Sequence, residues 1–385
     1  MTIQISKKKG FDLRKINLAK SKRVVVKVGS AVLTGENGLD QQIMMNLADE
    51  ISFLVRSKKE VILVSSGAVA AGKKRLGLKI DRLLGLKEKQ GAAAVGQSSL
   101  MRAYDDIFDH LGYKVAQVLL THDDLSNRNR YLNVRNTILT LLDWKIIPII
   151  NENDTVSVEE LRFGDNDTLG ALITNLIEAD LFICLTDVDG LYTGNPVRNG
   201  EAKPIHTIVR VDKKIRSMAG NVVGALGTGG MQSKINAAHM VSTRGGSSFI
   251  GSGRTKAILQ KLFAGEAVGT FFLPQAEKMQ SRKHWIAYVL RPKGYLVLDR
   301  GACLALVKGG KSLLPSGILE VRENFKVGAP VQCLDEKGKA IATGLSNYSA
   351  DDLKKIKGLN SNQIEKVLGY KDSDEVIHRD NLVIL

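Results

Sequence analysis

Short apolar runs alternate with amphipathic stretches along roughly the first 270 residues of the chain. Arg23-Val-Val-Val-Lys-Val28 reads as a buried strand with one charge set into it. Residues 41–58 then place Ile43, Leu47, Ile51, Leu54 and Val55 at helical spacing, ahead of a second strand at Val61–Val64. The rhythm continues with a helix around 91–110, strand 113–120, a helix around 130–143, strand 146–150, helix 167–179 and strands 181–186 and 246–250. Strands alternating with helices predict an α/β sandwich, helices covering both faces of a mainly parallel central sheet. Near residue 291 the style changes. Runs at Tyr295–Leu298, Ala302–Val307, Gly317–Val321, Pro330–Leu334 and Ala340–Gly344 alternate with turns, the pattern of a small β-barrel.

These changes divide the chain into a basic extension 1–22, an α/β domain 23–275, a linker 276–290, a β domain 291–372 and a tail 373–385. Val376–Leu385 in that tail reads as a further strand. Charge modifies the picture at one end. The chain of 385 residues carries a net charge of +15, and residues 1–23 hold eight Lys or Arg against one Asp. That segment reads as a solvated arm, with a nucleic-acid-binding arm as the other reading. Residues 291–385 hold fifteen basic against twelve acidic residues, so little of the excess lies there. No apolar run approaches the roughly 18 to 20 residues that cross a bilayer, and no secretory leader is expected from the N-terminus. Cys184, Cys303 and Cys333 are odd in number and widely spaced, which fits a reducing cytoplasm and argues against a disulfide framework or a cysteine metal site. Six scattered histidines offer no zinc spacing, and no protein metal site is expected.

Candidate chemistry gathers where strands end. Lys27 stands at the end of the first strand, one residue before Gly29-Ser30. Ser65-Ser66-Gly67-Ala68 is a small polar turn opening into an Ala-rich helix, a junction that offers backbone N–H groups to an anion. Asn151-Glu152-Asn153-Asp154 ends the fourth strand, and Gly164-Asp165-Asn166-Asp167 returns before the next helix, which Asp167 and Thr168 are expected to start. Asn donates and accepts while Asp accepts, so two such clusters suit a small ligand bearing an amine and carboxylates. They are also ordinary turn formers, and the residues alone admit both readings. Thr186-Asp187 ends another strand where an Asp can meet a nucleotide. Gly224-Ala-Leu-Gly-Thr-Gly-Gly-Met-Gln-Ser-Lys234 opens a helix with Lys234 in its first turn, an arrangement for phosphate that is neither a Walker loop nor a dinucleotide fingerprint.

Taken in order, VVKVGSAVLT (25–34), SSGAVAAG (65–72), AAVGQ (93–97), LLT (119–121), PIINENDTV (148–156), GDND (164–167), LTDVDGLYT (185–193) and GTGGMQSK (227–234) resemble the glutamate 5-kinases of the amino-acid-kinase family. DRGACLAL (299–306), SLLPSGI (312–318) and GLSNYS (344–349) resemble the PUA domain that ends those enzymes. The resemblance implies an amino-acid-kinase-like αβα sandwich over 23–275 followed by a PUA-like barrel. It implies ATP-dependent phosphorylation of the L-glutamate side-chain carboxylate to L-glutamyl 5-phosphate, the first step towards proline. Lys27 and Lys234 would hold the phosphates and Asp167 would orient both lysines. Ser66, Asp154 and Asn166, helped by Gly67, Asn151 and Asp165, would hold glutamate. Gly29, Thr186, Asp187 and the loop Thr228, Gly229, Gly230, Met231, Gln232, Ser233 and Lys234 would bind ATP, with Mg²⁺ held mainly through its phosphates. The resemblance further implies a cytoplasmic homo-oligomer, a dimer or tetramer, with proline as a feedback inhibitor acting through the loop Val156–Phe163. Arg162 departs from the Lys expected before GDND, which puts the proline response in doubt. Two competing expectations are an RNA-binding PUA protein and a kinase with another acceptor, N-acetylglutamate or aspartate. The even charge of 291–385 weighs against the first, and the appended PUA-like domain against the second.

Overall fold

The computed structural model describes residues 7–35, 38–156, 165–194, 200–218, 230–275 and 281–385. The chain forms two compact units, Met1–Lys278 and Met279–Leu385.

In the first unit the strands are β1 (Arg23–Val28), β2 (Thr34–Gly35), β3 (Gly38–Leu39), β4 (Glu60–Ser65), β5 (Val115–Leu120), β6 (Ile147–Glu152), β7 (Leu181–Thr186), β8 (Thr207–Ile208), β9 (Ser247–Ser252) and β10 (Thr270–Phe272). Eight of them form one sheet in the order β5-β6-β4-β1-β7-β9-β10-β8, with β2 and β3 paired apart as a short hairpin. From β5 to β9 every pairing is parallel; β10 runs antiparallel to β9. Parallel strands need crossovers, and the helices between them cover the sheet on both faces. Alternation along β1 divides its side chains between those faces. Val24, Val26 and Val28 enter a core with Leu63, Ile183 and Leu185, packed by Met44, Leu47, Ile51 and Leu54 of helix Gln41–Arg56 and by Leu100, Tyr104 and Phe108 of helix Leu86–His110. Val25 and Lys27 face the other side, beneath helix Asn166–Leu176. That helix lies so close that a Cβ at Gly170 would come within 2.6 Å of the Phe182 ring and 3.3 Å of Lys27 Cβ.

The N-terminal arm is not the solvated tail that its charge predicts. Lys7–Lys20 is a helix, and Arg14 and Leu18 are buried on it. The guanidinium carbon of Arg14 lies 5.7 to 5.8 Å from the ring centres of Phe11, Phe249 and Phe271, and its Nη2 donates to Val268 O at 2.9 Å. Lys15, Lys20 and Lys22 remain in solvent, so one buried cation among exposed ones distinguishes the packed side. Residues 1–6 of the arm lie outside the described residues.

The second unit begins with helix Ser281–Tyr288, so much of the stretch read as a linker belongs to this unit. Its strands β11 (Gly294–Leu298), β12 (Ile318–Arg322), β13 (Pro330–Leu334), β14 (Ala340–Leu345) and β15 (Leu382–Ile384) form a sheet in the order β12-β11-β13-β14-β15. Only β11 and β13 pair in parallel; the other pairs are antiparallel. Leu296, Leu298, Val331, Cys333, Tyr348, Leu353 and Leu382 fill its core. The run Ala302–Val307, expected as a strand, is instead the end of helix Arg300–Val307. Asp299 explains the difference: its side chain accepts from Ala302 N at 2.7 Å, and a satisfied N-cap outweighs a short apolar run. No described helix in either unit is long and apolar enough to cross a membrane.

Candidate functional site

The ends of β1, β4, β6 and β7 meet the first turns of two helices, Asn166–Leu176 and Met231–Thr243. The carboxyl ends of parallel strands are where open α/β sheets present their ligand groups. Asp165, rather than Asp167, caps the first of these helices. Its Oδ1 accepts from Thr168 N at 2.8 Å, which corrects the expected start by two residues and leaves the Asp167 carboxylate free of backbone duty. Gly230 is the N-cap of the second helix, and Ser233 and Lys234 lie in its opening turn.

Asp167 is the centre of the site and is 1% exposed. Its Oδ1 lies 2.5 Å from Lys27 Nζ and 3.3 Å from Cys184 Sγ; its Oδ2 lies 3.0 Å from Lys234 Nζ and 2.7 Å from Ser233 Oγ. Both lysines are buried, at 5% and 6% exposure. Burial works to raise the Asp167 carboxyl, but the ammonium groups of Lys27 and Lys234 outweigh it and hold it well below the usual carboxylate range. Burial likewise pulls Lys27 down, and Asp167 more than reverses the effect, so its ammonium persists above the ordinary lysine range. Two cations around one anion leave a net positive charge among two helix N-termini, an environment that attracts polyanions.

A string of uncharged hydrogen bonds runs away from this cluster. Asn166 Nδ2 donates to Ser66 Oγ at 2.8 Å and to Asn151 Oδ1 at 3.0 Å, and Asn151 Nδ2 donates to Gln97 Oε1 at 2.9 Å. Ser66 N donates to Val28 O at 3.2 Å, tying this turn to the end of β1. Gly67 follows with φ of +108°, a left-handed geometry that a side chain would strain, and caps helix Ala68–Arg75. Asp165, close by, is pushed up from the usual carboxylate range by burial and by the negative charge of Asp167. Asp154 occupies the turn after β6.

The structure thus gathers Lys27, Ser66, Asn151, Asn166, Asp167, Ser233 and Lys234 through direct bonds. Gly29 sits beside them: its N–H donates to Leu185 O at 3.1 Å, and a Cβ there would lie 3.5 Å from Lys27 Nζ. Thr186 ends β7 and donates to Asp187 Oδ1 at 2.9 Å, while Gln232 bonds Asn236 rather than the central cluster. Met231 opens the helix of Lys234. Thr228 and Gly229 lie outside the described residues, as do Arg162 and all of the loop after Val156 up to Gly164. Two members of the network were not singled out from sequence. Gln97 lies within AAVGQ, and Cys184 pairs with Lys27 in the parallel register of β1 and β7, a relation that no local pattern displays.

The sequence model of the amino acid kinase family matches residues 22–252, and that of the PUA domain matches residues 294–368. The glutamate 5-kinase of Desulfotalea psychrophila is 58% identical over 375 residues, 97% of this chain and 100% of that protein. Those of Nitrosomonas eutropha, at 52% over 96% of this chain and 99% of its own length, and Syntrophotalea carbinolica, at 50% over 97% and 100%, are similar along the same span. With a parallel sheet whose strand ends carry this lysine–aspartate–lysine cluster, and with both sequence models matched in order, the chain belongs to the amino acid kinase family and carries a C-terminal PUA domain.

Proposed function

We propose that this enzyme transfers the γ-phosphoryl group of MgATP to the side-chain carboxylate of L-glutamate, giving L-glutamyl 5-phosphate and ADP for proline synthesis. The observation that carries the reading is the buried carboxylate of Asp167 held between Lys27 and Lys234. Near-full-length similarity to several glutamate 5-kinases supports the acceptor.

The chemistry requires little beyond positioning and charge. A glutamate side chain has a reference pKa near ~4.3, so the acceptor is already ionised at neutral pH and needs no general base. The barrier lies in bringing two anions together, and fixed cations aimed at the transferring group lower it. Lys27 and Lys234 hold the phosphates; Asp167 aims both ammonium groups. Ser66, Asn151 and Asn166 offer the polar string to glutamate, joined by Gly67, Asp154 and Asp165. Gly29, Thr186, Asp187 and residues 228–234 take the nucleotide. Both oxygens of Asp167 are engaged by protein donors, so the residues here fit a cation carried by phosphate and water rather than one held by that carboxylate. Mg²⁺, when bound, supplies further neutralisation of phosphate charge. The reading extends to a cytoplasmic homo-oligomer, with proline as the candidate inhibitor to be tested.

Acyl phosphate trapped as hydroxamate tests the proposal, using MgATP with L-glutamate, N-acetylglutamate, L-aspartate or no acceptor, each with and without proline. Product with glutamate alone is the expected result. Turnover with a different acceptor overturns the role given to the Asn166 string, and no turnover with any acceptor overturns the kinase reading itself.

A further inference from the structure

Four donors converge on Asp167, and they are not of one kind. Each oxygen accepts from one ammonium group and one neutral group: Lys27 and Cys184 at Oδ1, Lys234 and Ser233 at Oδ2. An ionised carboxylate offers about four lone-pair sites, so this one is saturated. The ammonium groups alone fix its plane poorly, because each ends a flexible stem of four carbons. Ser233 Oγ is short-stemmed and sits in a helical turn, its one proton facing Asp167 Oδ2 at 2.7 Å with Gly230 O as the alternative acceptor at 2.8 Å. Cys184 is stiffer still. It lies in the middle of β7, wholly buried, between Lys27 on β1 and Ile250 on β9 in the sheet register.

Resting on the function proposed above, we propose that Cys184 is a positioning residue, whose thiol donates to Asp167 Oδ1 and, opposite Ser233 on Oδ2, sets the carboxylate plane that aims Lys27 and Lys234 at the transferring phosphoryl group. Burial and the charge of Asp167 both push the thiol above its ordinary range, so it stays protonated and can only donate in this setting. A neutral donor is also the one addition that completes the shell without altering the net charge offered to phosphate. A hydrocarbon at this place would leave an Oδ1 lone pair buried without a partner.

The test compares wild type with Cys184→Ala and Cys184→Ser, reading kcat and the KM values for glutamate and ATP separately. Loss of one donor to a charged acceptor should lower kcat of Cys184→Ala about tenfold, with KM for glutamate held within about twofold, while Cys184→Ser recovers most of the rate. A second readout does not depend on turnover or on the alanine variant folding. The infrared S–H stretch of Cys184, isolated by difference against Cys184→Ser, should lie at the low frequency of a hydrogen-bonded thiol and rise in Asp167→Asn. Equal loss in the alanine and serine variants would assign Cys184 to packing, and wild-type rates in both would remove it from the mechanism. An S–H band indifferent to Asp167→Asn would also overturn the proposal. Failure of wild type to phosphorylate glutamate would instead strike the functional reading, and the infrared result would still stand or fall alone.

Discussion

Lys27 and Arg14, two of the buried cations of the first unit, are enclosed in opposite ways. Lys27 is enclosed with a carboxylate at 2.5 Å and holds its proton more tightly than a free lysine does. Arg14 is enclosed among three aromatic rings with one carbonyl acceptor, and its Nε and Nη1 have no hydrogen-bond partner among the described residues. Burial lowers its pKa to about 10. The two differ in what they are for. Paired charge at Lys27 keeps a cation available to a polyanion, whereas the aromatic cage at Arg14 turns a charged side chain into packing that fastens helix Lys7–Lys20 to the sheet.

Substitution should separate these modes. Asp167→Ala leaves two ammonium groups buried together without their counterion, and we expect a loss of about 3–5 kcal/mol in denaturant unfolding along with activity. A fully stable Asp167→Ala protein would show that water reaches the lysines and that the cluster is not sealed. Lys234→Ala should keep the fold while lowering kcat about 10²–10³-fold, read in the hydroxamate assay; near-normal turnover would remove Lys234 from the reaction. Arg14→Ala should cost about 2–3 kcal/mol, as for the loss of a large buried side chain, and leave KM and kcat unchanged. Arg14→Met, which fills the cage without orphaned N–H groups, should lie within about 1 kcal/mol of wild type. If Arg14→Met melts as low as Arg14→Ala, charge rather than packing holds the arm.

His239 extends the comparison at the smallest scale. Burial, with Arg216 and Arg210 adding repulsion, lowers its pKa to about 4 from an ordinary 6.5. A base whose folded pKa is depressed is protonated first in the unfolded chain, so stability is lost as pH falls through that window. Unfolding measured at several pH values between these limits should show that slope, reduced by up to one proton in His239→Gln. An unchanged slope would place the imidazole in water.

The same contrast explains what could be read from the chain beforehand. β1, β7 and the alternation of strand and helix were legible because each is written within a few consecutive residues, as was a lysine at a strand end followed by glycine. The Asn and Asp clusters pointed to the right strand ends, though the cap fell on Asp165 and freed Asp167 for the lysines. The N-terminal helix was missed because its apolar residues are spread around it, and Arg14 counts as solvent-facing in any tally of charge. Cys184 was missed for a different reason. Its partner is chosen by the register of β7 on β1, which brings together residues 27 and 184 and which no local periodicity encodes.

Central placement of β1 also bears on the order in which the chain can fold. Lys27 is made early, yet the carboxylate that makes its burial favourable is made 140 residues later, and Ser233 and Lys234 later again. Until residues 166–176 emerge, the face of β1 that carries Lys27 has neither the helix that covers it nor the carboxylate that neutralises it. We therefore expect the α/β unit to close late and as a whole during synthesis, with long-range contacts setting its rate. In Asp167→Ala the counterion that closure waits for never arrives, and refolding, not only the final stability, should carry the mark.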